Sequence, residues 1–375
     1  SKELKDVSAM RGIGTKEMLS RVLVVLLAFI LTLTTGVGSG LAQSLRERAD
    51  RIGMLVGTAV APQLFAEPGY AETLAREFNM LEPENVMKWA AIRPNRDTFN
   101  FKPGDQVVEF AKAHDQKVRG HCLLWHKYNP AWLSKGNFTA DELSPILEKH
   151  ITTVVKHYAG EVFAWDVVNE AFDAKGGMEH SIWLDQPGIG LAQRKTAYIE
   201  QAFRWARAAD SKALLFYNDY DAEGLNAKSD AIYAMVKDFK KRGVPIDGVG
   251  IQAHIFNLST KDISSLSQNM ARLVGLGVQI HITEMDVALP IDAKGSVLSQ
   301  SDLMRQAEIY EFVAKACLRQ PGCTTLQTWG FTDKHSWIPG FTKGAKGMAL
   351  LFDQNYAPKS AYKALLDVLR QERRL

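Results

Sequence analysis

Two stretches carry carboxylates in unusual company: VFAWDVVNE (162–170) ends an apolar run in an asparagine and a glutamate, and VQIHITEMDV (278–287) holds a glutamate and an aspartate two residues apart. Burying a free carboxylate is costly, so Glu170 and Glu284 must be solvated by an opening in the fold, paired, or kept protonated. Two carboxyl groups facing one opening can divide the work, one protonating a departing oxygen while the other attacks carbon or activates water. Glycosidic bonds are hydrolysed in this way. Strand alternation puts Glu284 and Asp286 on one face, and Gln252 and His254 likewise, so each pair can point inward together. Asn169 and Glu170 are neighbours and diverge in a regular strand, so the strand must bend or end there if both serve one site.

Such residues need a scaffold that gathers strand ends. Eight short apolar or alternating runs recur at 54–61, 78–85, 117–125, 162–170, 213–220, 247–255, 278–287 and 325–333. That leaves about 35 residues per unit, and helical patterns at 143–159, 194–209 and 301–318 fall between them. Strand alternating with helix predicts a parallel sheet, and eight units predict a (β/α)8 TIM barrel in a single domain. The competing doubly wound sheet would place G-x-G-x-x-G after its first strand, and none is there. A barrel collects chemistry at the carboxyl ends of its strands. Those ends hold Glu84, Asn85 and Lys88; His121, Trp125 and His126; Asn169 and Glu170; Gln252 and His254; Glu284 and Asp286; and Trp329. Asn218, Asp219 and Asp221 close the fifth run and read as loop-capping residues without a catalytic role. Trp89, Trp125, Trp329 and Trp337 lie at or beyond strand ends, where flat rings suit the C–H faces of sugars. Trp165, Trp183 and Trp205 read as core.

The 375 residues are 46% hydrophobic and 23% charged, which is ordinary for a globular chain. The formal charge of +3 is spread along the sequence with no basic run, so nothing suggests a nucleic-acid partner. Near the N-terminus, VLVVLLAFILTL (22–33) follows Lys16 and Arg21 and precedes small residues up to Ala42. The run falls short of the ~20 residues of a spanning helix, so 18–42 is expected to be a signal peptide rather than an anchor. Met18 would then be the initiator, 1–17 an upstream extension and 43–375 the catalytic domain, secreted and free of membrane after signal removal. Export permits disulfides. Cys317 and Cys323 flank a helix end and turn and could close a small loop, or all three cysteines could stay reduced; Cys122, in apolar RGHCLLW, reads as a buried free thiol.

Six ordered motifs, ENVMKW (84–89), GHCLLWH (120–126), WDVVNEA (165–171), GIQAH (250–254), ITEMDV (282–287) and TWGFTDKHSW (328–337), together with LLFDQNYAPKSAY (350–362), resemble the series of glycoside hydrolase family 10. The resemblance runs from about residue 45 to the end. It implies a monomeric (β/α)8 endo-1,4-β-xylanase that needs no cofactor or metal and acts on xylan and xylo-oligosaccharides with retained configuration. Glu170 then matches the acid/base and Glu284 the nucleophile. Asn169 matches the residue that bonds the sugar 2-hydroxyl, and His254 with Asp286 the pair that orients the nucleophile. Glu84, Asn85, Lys88, His121, Trp125, Gln252, Trp329 and Trp337 match the glycone side of the cleft. The resemblance also favours a Cys317–Cys323 bridge. Tyr128, Ala90 and Ile338 depart from the family pattern, where glutamine, glutamate and arginine are usual. Glu170 must carry a proton when the bond breaks, so its proton affinity is expected to be high while Glu284 is anionic and to fall once Glu284 is esterified.

Other chemistries fit less well. A metal site from His121, His126 and His254 lacks an H-x-H on the first strand. Lys88 as a Schiff-base lysine would need a depressed pKa, and Glu84 nearby keeps it charged. A binding barrel without catalysis would be expected to have lost one of the two glutamates. A glucanase would share the carboxylates and tryptophans but needs room for an exocyclic CH2OH near Trp337 and Lys88.

Overall fold

The computed structural model describes residues 43–185 and 187–371. The expected extension (1–17) and signal peptide (18–42) lie outside the described residues. Among the described residues, no helix is long and apolar enough to cross a membrane.

Eight parallel strands form the centre: β1 (Leu55–Val60), β2 (Met80–Pro83), β3 (Lys117–Trp125), β4 (Val162–Asn169), β5 (Leu214–Asp219), β6 (Gly248–Ile251), β7 (Gln279–Val287) and β8 (Cys323–Thr328). Each pairs with the next, and β8 pairs back onto β1 with Leu55 opposite Thr325, closing the barrel. Helix α1 (Leu45–Arg51) precedes β1, and helices α2 (Pro68–Glu77), α3 (Lys102–Ala113), α4 (Ala140–His157), α5 (Ala197–Ala209), α6 (Ala227–Lys241), α7 (Leu266–Val274) and α8 (Gln300–Arg319) connect successive strands. Helix α9 (Ser360–Gln371) follows β8.

Local chemistry sets these limits. In α4, Glu142 accepts from the Thr139 backbone N–H at 2.9 Å, acidic residues fill the first turn, and Lys156 and His157 fill the last. Its Leu143, Leu147, Ile151 and Val154 recur at helical spacing and are buried. Several strands are shorter than their apolar runs. β2 stops at Pro83, which has no N–H for the ladder. The run 247–255 breaks at Ala253, whose φ of +59° turns the chain, and pairing resumes with His254 opposite Asp286. β8 starts two residues before the expected 325 and ends at Thr328, so Trp329 opens the following loop, where Gly330 (φ +88°) leaves the strand conformation.

Cys317 at the end of α8 is bonded to Cys323 at the start of β8, while Cys122 is a buried free thiol. The barrel interior below the site is polar. Fully buried Arg119 makes a bidentate contact with Asp166 at 2.5 Å per bond, reaches Glu82 at 3.1 Å and meets His281 Nδ1 at 3.3 Å. Buried charges persist only when paired and hydrogen-bonded, and this group joins strands β2, β3, β4 and β7 in one fixed register.

Candidate active site

A cleft of about 620 Å³ opens at the carboxyl ends of the strands. The sequence-predicted catalytic, supporting and binding residues line it with two exceptions: Asp286 is fully buried behind His254, and Trp89, expected to offer its ring to a sugar, is instead a core residue stacked on His150 and Trp183. A cleft of this size is within the range of small-ligand pockets.

Glu170 follows the last residue of β4 and has φ +53°, a left-handed conformation uncommon outside glycine. The strand thus ends at Asn169, and both neighbouring side chains reach the cleft. Two bonds hold this backbone: the Glu170 N–H donates to the Asn218 carbonyl at 2.9 Å, and the Ala171 N–H to the Tyr217 hydroxyl at 2.9 Å. The Glu170 carboxylate accepts from Trp125 Nε1 at 2.9 Å and Lys127 Nζ at 3.2 Å on Oε2, and from Gln252 Nε2 at 3.2 Å on Oε1. Burial raises its proton affinity, but the Lys127 charge and the bonds from Gln252 and Trp125 together outweigh it, leaving the group below the ordinary glutamate value. A high proton affinity was expected from the sequence. The difference arises because donors and a cation surround the carboxylate in the open cleft.

Glu284, on β7, accepts from Asn218 Nδ2 at 2.8 Å on Oε1 and bonds His254 Nε2 at 3.0 Å through Oε2. His254 Nδ1 lies 3.0 Å from Asp286 Oδ2, which also accepts from Trp337 Nε1 at 2.8 Å. Burial opposes charge on His254, but Asp286 and Glu284 hold its proton affinity well above the usual histidine value. The resulting imidazolium donates from both nitrogens, to Asp286 on one side and Glu284 on the other.

The two glutamates belong to one hydrogen-bond chain. Gln252 Nε2 bonds both Glu170 Oε1 and Asn169 Oδ1 (3.2 Å each), and Asn218 Nδ2 bonds both Asn169 Oδ1 (2.9 Å) and Glu284 Oε1 (2.8 Å). Because Asn169 Oδ1 accepts both bonds, its NH2 is the group left for a ligand hydroxyl. Around this chain, Lys88 Nζ donates to Asn85 Oδ1 at 2.8 Å and lies 5.1 Å from the Trp125 ring and 5.8 Å from that of Trp329. Burial raises the proton affinity of Glu84 against the opposing influence of Lys88 and Asn85. His121 bonds Asp166 at 2.8 Å and meets the Trp329 ring edge-on.

Glu82, His121, Asp166 and Glu284 place ligand-type atoms within 4.8 Å of one another. Arg119 already supplies the positive charge there, bonded to both Glu82 and Asp166, so a metal ion would meet a fixed cation.

The family model described as Glycosyl hydrolase family 10 matches residues 44–368. The chain belongs to this family. It is 43% identical over 331 residues to endo-1,4-beta-xylanase B of Thermotoga neapolitana, covering 88% of this chain and 92% of the relative. With the endo-1,4-beta-xylanase of Agaricus bisporus it shares 36% over 344 residues, 91% of this chain and 98% of the relative. Native xylanase 10B from Thermotoga maritima superposes with a TM-score of 0.81 at 44% identity, covering 88% of this chain and 98% of that one. Xylanase 10B from Thermotoga petrophila, solved with xylobiose, gives 0.80 at 44% identity, covering 88% and 97%.

As a member of family 10 the chain is a glycoside hydrolase, and the three residues read from the sequence as departing from the family pattern can be located. Tyr128 is 51% exposed with φ +59°, its ring parallel to Trp125 at 6.4 Å and 4.9 Å from Lys88 Nζ, so an aromatic face lies beside these two cleft residues. The Ala90 N–H donates to the Tyr128 carbonyl at 3.1 Å, and Ile338 is buried against Trp337. Sequence reasoning missed Asn218, which touches both Asn169 and Glu284, and Lys127, which touches Glu170. It read Asp221 only as a loop cap and gave no role to Tyr220, Phe256 and Phe341, and all four line the cleft. For Asn218 the sequence alone held no signal, and its link to Gly250 appears only with the strand register. A Cβ there would lie 2.2 Å from Asn218 Oδ1, so this glycine makes room for the asparagine.

Proposed function

We propose that this protein is a monomeric endo-1,4-β-xylanase that cleaves internal β-1,4-xylosidic bonds of xylan and xylo-oligosaccharides with retention of configuration. The observation that carries the reading is the hydrogen-bond chain Glu170–Gln252–Asn169–Asn218–Glu284, which ties two carboxylates, one just past β4 and one on β7, to one cleft.

In the first step a Glu284 oxygen attacks the anomeric carbon while Glu170, as the acid, gives its proton to the departing oxygen. The C–O bond breaks and a glycosyl ester of Glu284 forms. In the second step Glu170, now a carboxylate, takes a proton from water. The water oxygen bonds to the anomeric carbon and Glu284 leaves as a carboxylate. The His254 imidazolium disperses negative charge on Glu284 in the resting state, and the Asn169 NH2 bonds the sugar 2-hydroxyl. A sugar filling the cleft strips water from Glu170 and raises its proton affinity, which supplies the acid form. Trp125, Trp329 and Trp337 offer ring faces to the sugar. Glu84, Asn85, Lys88, His121 and Gln252 bond its hydroxyls. The missing exocyclic CH2OH of xylose suits a cleft crowded by Lys88 and Trp337. Secretion follows from reading 18–42 as a signal peptide, and N-terminal sequencing of protein recovered from culture medium should begin near residue 43.

Reducing ends released from xylan and from soluble cellulose by the parent, Glu170→Gln and Glu284→Gln test the reading. The parent should favour xylan, and Glu284→Gln should lose activity by several orders of magnitude. Equal activity of Glu284→Gln and parent refutes the mechanism.

A further inference from the structure

Lys127, two residues past Trp125 at the end of β3, has no part in the two-step scheme above. Its ammonium lies 3.2 Å from Glu170 Oε2 and 5.5 Å from the Trp125 ring centroid. Among the described residues it is the one cation within 4.0 Å of that carboxylate. Its side chain is 54% exposed and that of Glu170 10%, so a solvated, movable charge sits on a nearly buried acid. The other side-chain donors to Glu170, Trp125 Nε1 and Gln252 Nε2, are neutral.

We propose that Lys127 is a positioning residue that sets the pH range over which Glu170 alternates between acid and base. This rests on the reading of Glu170 as the acid/base. The ammonium favours the carboxylate, which the second step needs, and opposes the carboxylic acid, which the first step needs. Other titratable groups face Glu170 from every side: His126 beside Lys127, Glu179 in the loop after β4, Asp219, Tyr220 and Asp221 at the end of β5, His254 after β6, Glu284 on β7 and Lys88 after β2. A neighbouring carboxylate disfavours charge on another, in the same sense as burial. Lys127 is the largest influence in the opposite sense.

The test uses the full chain with Lys127→Met and Lys127→Arg, two substrates and complete pH profiles. On xylan, kcat/KM falls on the alkaline side as the acid loses its proton. On an aryl β-xylobioside with a good leaving group, hydrolysis of the glycosyl ester limits kcat, which falls on the acid side as the base gains a proton. Both limbs report Glu170, so Lys127→Met should move both upward, each by about 0.5 pH unit for a half-exposed ion pair. Lys127→Arg should keep the parent profile. A uniform loss of rate with both limbs unmoved, or movement of one limb alone, overturns the proposal. Glu170→Gln, measured alongside, separates the two readings. If it is inactive on xylan while the Lys127→Met limbs stay in place, only the role of Lys127 fails. If it retains parent activity, the acid/base assignment fails and takes the role of Lys127 with it.

Discussion

Asn218 is the residue whose loss should reach furthest through the site. Its Nδ2 donates to Glu284 Oε1 at 2.8 Å and to Asn169 Oδ1 at 2.9 Å, and its Oδ1 accepts from Thr283 Oγ1 at 2.7 Å, all in a fully buried position. Asn218→Ala deletes one hydrogen bond to a carboxylate, an interaction worth about 1.5–3 kcal/mol. Expressed in the rate, that is a fall of roughly 10- to 100-fold in kcat/KM. Asn218→Asp keeps the volume but sets a second carboxylate against Glu284 and removes the donor. Glu284 then protonates more readily, and the acid limb of kcat/KM moves to higher pH. Gly250→Ala perturbs the same contact from the other side, because the new Cβ would stand 2.2 Å from Asn218 Oδ1 and push the amide out of line. The assay is kcat/KM against pH on an aryl xylobioside, with a thermal melt to show that each variant is folded. If folded Asn218→Ala and Asn218→Asp keep parent rates and pH profiles, the asparagine neither orients nor stabilises Glu284.

Two further outcomes are expected. Replacing Cys317 and Cys323 by serine opens a loop of six residues' separation, which costs about 2 kcal/mol in the chain-entropy account and lowers the melting temperature by a few degrees. The bridge lies far from the strand ends that carry the site, so kcat should not change, and a calorimetric melt with steady-state kinetics checks both. Glu223, buried between β5 and α6, accepts from the Ala253 N–H at 2.9 Å, and burial pushes its carboxyl up to about 7. A raised pKa means stability present below the unfolded value, ~4.3, and lost as pH rises through the folded one. Urea titrations should therefore show Glu223→Gln gaining about 3 kcal/mol relative to the parent between pH 4 and pH 8. A parent–variant difference that does not change with pH refutes this.

What the sequence made legible follows from where the information lies. Glu170 and Glu284 stand out because each breaks an apolar run, and a carboxylate in that setting demands an explanation within its own stretch of chain. The same local logic exposed the divergence of Asn169 and Glu170, which the structure resolves by ending β4 at Asn169 and giving Glu170 φ +53°. Asn218 carries no such mark. In ALLFYNDYDAEG it is one of several turn-forming residues, and its partners come from β4 and β7. Only the barrel register, with Asn218 opposite Gly250 and Gly250 opposite His281, turns a capping asparagine into a link between two glutamates. Arg119 is hidden for the same reason. A lone arginine in KVRGHC reads as a surface charge, and its burial makes sense only once β2 and β4 bring Glu82 and Asp166 to it. Lys127 is harder still, because its contact depends on the path of a loop rather than on any strand period. Residues that violate a local pattern can therefore be read from one sequence, whereas residues that satisfy a distant one need the fold. In this protein Glu170 and Glu284 are of the first kind and Asn218, Arg119 and Lys127 of the second, while His254 and Asp286 were reached through the resemblance to family 10.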